Sequence, residues 1–384
     1  MRFTFGYNSV MTREVPLPKT TVLFGTRPEL IKLAPVIEAA SKRGLPTTTI
    51  SSSQHTDLLR PFLDEFSLKI DIDLGLMRRG QTPNDVVSRA IAKLDTILRG
   101  EKPDILLVQG DTTTALAGAI AAFNLGIKIG HVEAGLRSGD PKNPFPEEMN
   151  RRLITQLADL HFAATRRNRE TLIAEGVARA NVAVTGNPVV DSLLRFAATA
   201  APNPKLAKLL AATESTRRIL LTTHRRESFG EAMEGNLRVL KAFVETHKDT
   251  SLFFPVHPNP NVRRATIEIL DGAERIFLLE PAGYSDFIAL IRSSWLIVSD
   301  SGGVQEEAPS LGRPLLVIRE NTERPEAIEA GVARLVGRSP SSLKRHLEAN
   351  YRDETWIRSV RKRKNPFGDG KSAEKIIDIL LRKL

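Results

Sequence analysis

Three carboxylates stand where the chain leaves a strand or a proline-ordered loop. Asp111 follows Ile105-Leu106-Leu107-Val108-Gln109-Gly110, Glu133 follows the run Ile127 to Val132, and Glu147 follows a loop carrying Asp140, Pro141, Pro144 and Pro146. Carboxylates that meet in one pocket can exchange protons with a substrate, hold a metal, or cap neighbouring helices. A lone Asp after a strand is most often a cap, but three such positions together read as a functional set. The metal reading is the weaker, since no histidine lies at a helical ligand spacing from them. Two further groups able to do chemistry, His224 and His257, each follow a buried-looking run and sit in loops rather than on an apolar face.

A second set of residues suits a phosphorylated ligand. Trp295-Leu296-Ile297-Val298-Ser299 runs into Asp300-Ser301-Gly302-Gly303, then into a helix expected to break at Gly312. Ser301 is the N-cap candidate. Gly302 and Gly303 lack the Cβ atoms that would keep a ligand from the backbone amides, and a diphosphate fits such a turn. About one helical turn on, the Glu307 carboxylate can accept two hydrogen bonds from a ribose diol. The alternative is a tight strand-to-helix turn followed by a solvated glutamate pair. A similar unit opens the fold, where Thr21-Val22-Leu23-Phe24 leads through Gly25-Thr26-Arg27-Pro28 into a helix from Glu29 to Ser41, with Arg27 and Lys32 able to meet phosphate.

These groups need a scaffold that brings strand ends to one edge. Short β-branched runs at Thr47 to Ser51, Ile105 to Val108, Ile127 to Val132 and Val182 to Val184 alternate with helical patterns. Ile219 to Thr222, Leu252 to Val256, Ile276 to Leu279, Leu296 to Ser299 and Leu315 to Ile318 repeat the arrangement. This alternation predicts α/β architecture with doubly wound parallel sheets and a ligand crevice at the strands' carboxyl ends. Asp111, Glu133 and Glu147 are therefore expected on one rim, with a helix beginning near Met149.

With 384 residues the chain has room for two such domains. The expected division is an extension over 1–19, a first Rossmann-like domain over 20–188, a connector over 189–216 rich in Ala, Pro, Asn and Lys, a second Rossmann-like domain over 217–366, and a tail helix over 367–384 that crosses back to the first domain. The two domains would face each other across a cleft.

Composition narrows the function. There are no cysteines, which removes disulfides and thiolate metal sites and suits a reducing cytoplasm. The first residues lack the apolar core of a signal peptide, and no run approaches the roughly 20 apolar residues of a membrane helix. A net charge of +10 asks for anionic partners. Nucleic acid is disfavoured because aromatics are only 5% and many arginines come in pairs rather than along a helical face. Small phosphorylated ligands are the better match.

The longer motifs carry a resemblance. GTRPE at Gly25 to Glu29, GDTTT at Gly110 to Thr114, HVEAGLR at His131 to Arg137, PFPEE at Pro144 to Glu148, HRRES at His224 to Ser228, PVHPNPNVR at Pro255 to Arg263, DSGGVQEEAPSLG at Asp300 to Gly312 and TERPEA at Thr322 to Ala327 occur in one order. Together they resemble the non-hydrolysing bacterial UDP-N-acetylglucosamine 2-epimerases, a family with the two-domain glycosyltransferase-B fold. The resemblance implies interconversion of UDP-N-acetylglucosamine and UDP-N-acetylmannosamine by elimination of UDP to 2-acetamidoglucal and re-addition, supplying sugars for cell-surface polysaccharide. It implies no cofactor and no metal, and a homodimer in the cytoplasm. Asp111, Glu133 and Glu147 would form the acid/base set with His224 near the glycosidic oxygen. Arg27, Lys32, Phe287, Ser301, Gly302, Gly303, Glu307 and Arg324 would hold the UDP-sugar. A second, activating UDP-N-acetylglucosamine would lie near Gln54, His55, Arg225, Arg226 and His257. The alternatives are a sister 2-epimerase for another UDP-2-acetamido sugar, a hydrolysing relative, a UDP-sugar glycosyltransferase of the same fold, and, in another class, a basic nucleic-acid-binding protein.

Overall fold

The computed structural model describes residues 16–52, 56–78, 80–223 and 230–384. Gln54, His55, His224, Arg225 and Arg226 lie outside the described residues. The first domain contributes β1 (Thr20–Phe24), β2 (Thr47–Ser51), β3 (Ile72–Asp73), β4 (Ile105–Gln109), β5 (Lys128–Ala134), β6 (Leu160–Ala163) and β7 (Val182–Val184). They pair in parallel in the order β3-β2-β1-β4-β5-β6-β7. The second contributes β8 (Arg217–Thr222), β9 (Thr250–Pro255), β10 (Ile276–Leu279), β11 (Leu296–Ser299), β12 (Leu315–Val317) and β13 (Ala333–Leu335). These are parallel too, in the order β10-β9-β8-β11-β12-β13. Both sheets reverse their winding beside the first strand of the domain, between β1 and β4 and between β8 and β11. A crevice opens at such a point because the flanking loops depart to opposite faces.

The strands form because both of their faces are covered. β4 is buried throughout, with Ile105 and Leu107 in the core on one side and Leu106 and Val108 in the core on the other. Such a strand reads as continuous apolar sequence rather than an alternating one. Helices pack on both faces, and the apolar cluster that contains β1 and the helix Arg27–Lys42 continues without a break into the second domain through Tyr284, Ile288 and Val304.

The boundaries differ from the sequence expectation where polar residues extend a strand. Gln109 ends β4, and β5 runs on through Glu133 to Ala134. The helix of the PFPEE segment starts at Glu147 rather than at Met149. The helix that the sequence starts at Gly186-Asn187-Pro188 and runs through Val189, Leu193 and Leu194 is present as Pro188–Thr199, and the stretch after it carries a second helix, Pro204–Ala212. Asn187 and Asn203 cap these two helices, accepting from the amides of Val189 (3.2 Å) and Leu206 (2.9 Å), and proline fills each first turn.

The tail helix Ser372–Lys383 returns to the first domain. Its Ile376, Ile377 and Leu380 are buried, Arg43 pairs with Asp378, and the amide of Asn187 donates to the Phe367 carbonyl at 2.7 Å. Gly186, at φ +88°, is required there, since a Cβ would come within 2.6 Å of Ser372 Oγ. The domains are joined at the opposite wall by Phe66, Phe196 and Tyr284, whose ring centroids lie 4.6 to 5.7 Å apart. Glu65 of the first domain accepts from the Tyr284 amide at 3.0 Å. Among the described residues no helix is long and apolar enough to cross a membrane.

Candidate active site

The two switch points face each other, and the residues between them form a buried ionic network. Glu133 is its centre. Its backbone is left-handed, at φ 63°, where the pairing of β5 with β6 shifts register. A non-glycine residue in that region costs free energy and persists only where its surroundings hold it. The bulge turns the side chain off the regular alternation of the strand. Lys32 and Gln109 donate to Glu133 Oε2, and Arg324 of the second domain donates to Oε1 at 3.5 Å. Burial by itself would raise the Glu133 pKa, but the Lys32 ammonium and the Arg324 guanidinium outweigh it and hold the carboxyl below its ordinary value. Burial likewise opposes the charge on Lys32, and Glu133 and Glu306 more than restore it.

Asp111 belongs to the same network. It is not a cap, because Thr112 takes that role by accepting from the Ala115 amide at 3.0 Å. Its carboxylate accepts from Arg151 Nε at 2.7 Å, and its carbonyl from Asn150 Nδ2 at 2.8 Å. Arg151 also donates to Glu148 at 3.0 Å and acts electrostatically on Glu133, so it links the two strand-end acids. Glu147 is not drawn in. Among the described residues it has no hydrogen bond or ion pair, and it lies half-buried at the start of its helix. Its neighbour Glu148 is the fully buried member, fixed by Arg151, Arg152 and the Ser138 amide.

The second domain supplies Arg324, Glu306 and Glu307. Arg324 Nε donates to Glu306 at 2.7 Å, and its guanidinium packs against Gly302. A Cβ at Gly302 would come within 2.5 Å of Arg324 Nη1, whereas one at Gly303 would meet only Ser301 Oγ at 3.9 Å. Gly302 therefore makes room for an arginine, while Gly303 alone leaves open space. Ser301 stands at the N-cap, as expected, and its hydroxyl makes no capping bond. The helix is only Gly302–Glu307, followed by a tighter turn over Ala308–Leu311 and the left-handed Gly312 that ends it.

The glutamate pair is not a solvated face: Glu306 is 1% and Glu307 5% exposed. Tyr284 donates its hydroxyl to Glu307 at 3.1 Å, yet burial pushes Glu307 up to about 7. Arg27 lies 5.1 Å over the Phe62 ring and is exposed. Phe287 is half-buried on the helix Tyr284–Ser293. Lys32, expected to reach phosphate, is instead buried against Glu133. His257 is exposed, and its Nδ1 accepts from the Asn259 amide at 3.2 Å.

The two glycine turns also differ. In the first, the Glu29 carboxylate reaches back to the amides of Gly25 (3.0 Å) and Thr26 (2.8 Å) and accepts from Thr112 at 2.7 Å. Those amides are already occupied. Among the described residues no side chain accepts from the amides of Gly302 and Gly303. Gln109, Arg151, Tyr284, Glu29 and Glu306 were not singled out from sequence. The buried end of an apolar strand was a usable signal for Gln109. For Glu306 there was none, because a six-residue helix is too short to show which of two adjacent acids turns inward.

Comparison with known proteins decides the family. The profile described as UDP-N-acetylglucosamine 2-epimerase matches residues 38–381. The chain belongs to this family. It is 42% identical over 368 residues to the UDP-N-acetylglucosamine 2-epimerase of Escherichia coli K12, covering 94% of this chain and 98% of that one. It is 40% identical over 364 residues to the enzyme of the same name from Bacillus subtilis 168, covering 94% and 95%. Among solved structures, the UDP-GlcNAc 2-epimerase from Neisseria meningitidis bound to UDP-GlcNAc superposes with a TM-score of 0.88 at 36% identity, covering 95% of this chain and all of that one.

Proposed function

We propose that this epimerase-family chain interconverts UDP-N-acetylglucosamine and UDP-N-acetylmannosamine by inverting carbon 2 of the sugar, without net hydrolysis. The observation that carries the reading is the buried Glu133, clamped by Lys32, Gln109 and Arg324 at the edge of one sheet and joined through Arg324 to the Gly302 turn of the other. The nucleotide would take the second domain, with diphosphate at Ser301 and Gly303 and ribose at Glu307, Arg27 and Phe287 lining its path. The sugar would then lie over Glu133 and Asp111.

The hydrogen on carbon 2 is beside no carbonyl, so its removal alone would leave an unstabilised carbanion. Elimination avoids this. As a carboxylate takes the proton, the carbon–hydrogen pair becomes the C1–C2 double bond, and the electrons of the anomeric C–O bond leave with UDP. Protonation of the alkene from the opposite face, with UDP adding back to carbon 1, completes the inversion. Glu133 suits proton acceptance because its partners keep it ionised, and Asp111 and Glu147 remain for the other face. Cationic groups beside the leaving diphosphate stabilise the charge that develops there. His224 near the glycosidic oxygen, an activating UDP-sugar near His257, and a homodimeric assembly in the cytoplasm complete the proposal.

The test is turnover in deuterated water followed by NMR. Deuterium is expected at carbon 2 of both epimers, with UDP and the glycal as minor species. Retention of the original hydrogen overturns the route, and release of free N-acetylmannosamine identifies hydrolysis instead.

A further inference from the structure

Glu306 is a buried carboxylate in the network to which the elimination assigns no step. One oxygen accepts from Arg324 Nε at 2.7 Å. The other, Oε2, is buried without a hydrogen-bond partner, and the Lys32 ammonium lies 3.8 Å from it. A buried carboxylate oxygen left unpaired is costly, so its position requires an explanation. The charged groups facing Glu306 are Lys32 from the helix Arg27–Lys42, Glu133 from β5 and Arg324 from the segment after β12, with Glu307 beside it on its own helix. Two cations and two carboxylates thus share one desolvated volume, and Lys32 sits between the carboxylates with its bond made to Glu133.

We propose that Glu306 is a positioning residue: a second seat for the Lys32 ammonium, filled when Glu133 accepts the substrate proton. The inference rests on the epimerase reading above. With Glu133 ionised, Lys32 bonds it. Once Glu133 carries the proton from carbon 2 it no longer holds an ammonium, and Lys32 would be left as a buried, unpaired cation. The empty oxygen of Glu306 is close enough for a small movement of the lysine chain to pair it again. When Glu133 later gives that proton up to solvent, the lysine returns. Glu306 thereby makes protonation of Glu133 easier and keeps Lys32 charged and paired. Without it, Glu133 would be the chief counter-charge for both cations and a poorer proton acceptor.

Glu306→Gln keeps an oxygen for Arg324 and removes the charge. Its kcat is expected to fall by about 100-fold, within the range of lost acid–base assistance. The acid limb of kcat, read with the nucleotide already on Glu307, should move about one pH unit lower, because the nearby negative charge that favours the protonated form of Glu133 is gone. Calorimetric UDP affinity should stay within about threefold. An unmoved acid limb, or UDP affinity lost in step with kcat, overturns the proposal by making Glu306 structural or a ligand contact. Glu306→Asp carries the test if the Gln variant does not fold. It keeps the charge but withdraws the oxygen from Lys32, so about a tenfold lower kcat with the acid limb in place is expected, and unchanged kcat overturns the proposal. Wild-type protein assayed alongside separates the two readings: no epimerisation by wild type defeats the proposed function, whereas active wild type with an indifferent Gln variant defeats only the role of Glu306.

Discussion

Glu133 in the first domain and Glu307 in the second are both buried carboxylates at the carboxyl edge of a parallel sheet, yet they are held in opposite states. Burial pushes each upward. Glu133 has an ammonium, a guanidinium and an amide on it and falls below the ordinary range. Glu307 has one phenol and rises to about 7. Desolvation thus sets the starting point, and the number of charged donors sets the outcome. One fold can therefore hold one acid below the ordinary carboxylate range and a second near neutrality, separating a group placed for proton transfer from one placed for binding.

The contrast can be broken most severely at its first member. Glu133→Gln is expected to lower kcat by about 10²–10⁴-fold, with calorimetric UDP affinity largely kept. It also leaves Lys32 and Arg324 short of a partner, which should cost about 3–5 kcal/mol in urea unfolding. Lys32→Met acts from the cation side. Removing the ammonium should raise the Glu133 pKa and move the acid limb of kcat by about one pH unit or more to higher pH, the reverse of the shift expected for Glu306→Gln.

The second member is tested by pH. In the proposed site ribose hydroxyls would donate to the ionised form of Glu307, so UDP affinity should tighten as pH rises through about 7, and Glu307→Gln should flatten that dependence. Stability separates the two groups by sign. The folded-state pKa of Glu307 is raised, so the native state holds more protons than the unfolded chain between the ordinary carboxylate value and about 7, and its contribution to stability is lost as pH rises through that window. The folded-state pKa of Glu133 is depressed, so its contribution is present above the ordinary carboxylate value and lost as pH falls below it. Melting temperatures of the two Gln variants against pH should diverge accordingly. The smallest effect is expected from Tyr284→Phe, which removes one hydrogen bond worth about 1 kcal/mol and raises the Glu307 inflection further, read from the same affinity titration.

Much of this arrangement was legible in advance because strand ends announce themselves. Asp111 follows an apolar run that can only be a covered strand, and a doubly wound sheet sends such ends to one edge. Gly312 ends its element as glycine does in the left-handed region, at φ 62°. The helix opened by Asn187 and Pro188 was legible from its apolar spacing, whereas the Ala-, Pro-, Asn- and Lys-rich stretch after it gave no pattern for Pro204–Ala212. In the structure the asparagines cap, the prolines start, and Val189, Val190, Leu193 and Phe196 bury one helical face.

Residue order alone fixed the alternation of strands and helices, the two sheets, and the turns that carry Asp111 and Gly303, because these depend on local periodicity and backbone freedom. It could not say that Gly302 makes room for Arg324, that Glu29 occupies the amides of the first turn, or that Lys32 pairs with Glu133, a partner 101 positions away. Those assignments depend on which charges share a desolvated volume. That is decided when two sheets close on each other, since the strength of an ion pair and the protonation of a buried acid are set by neighbours in space.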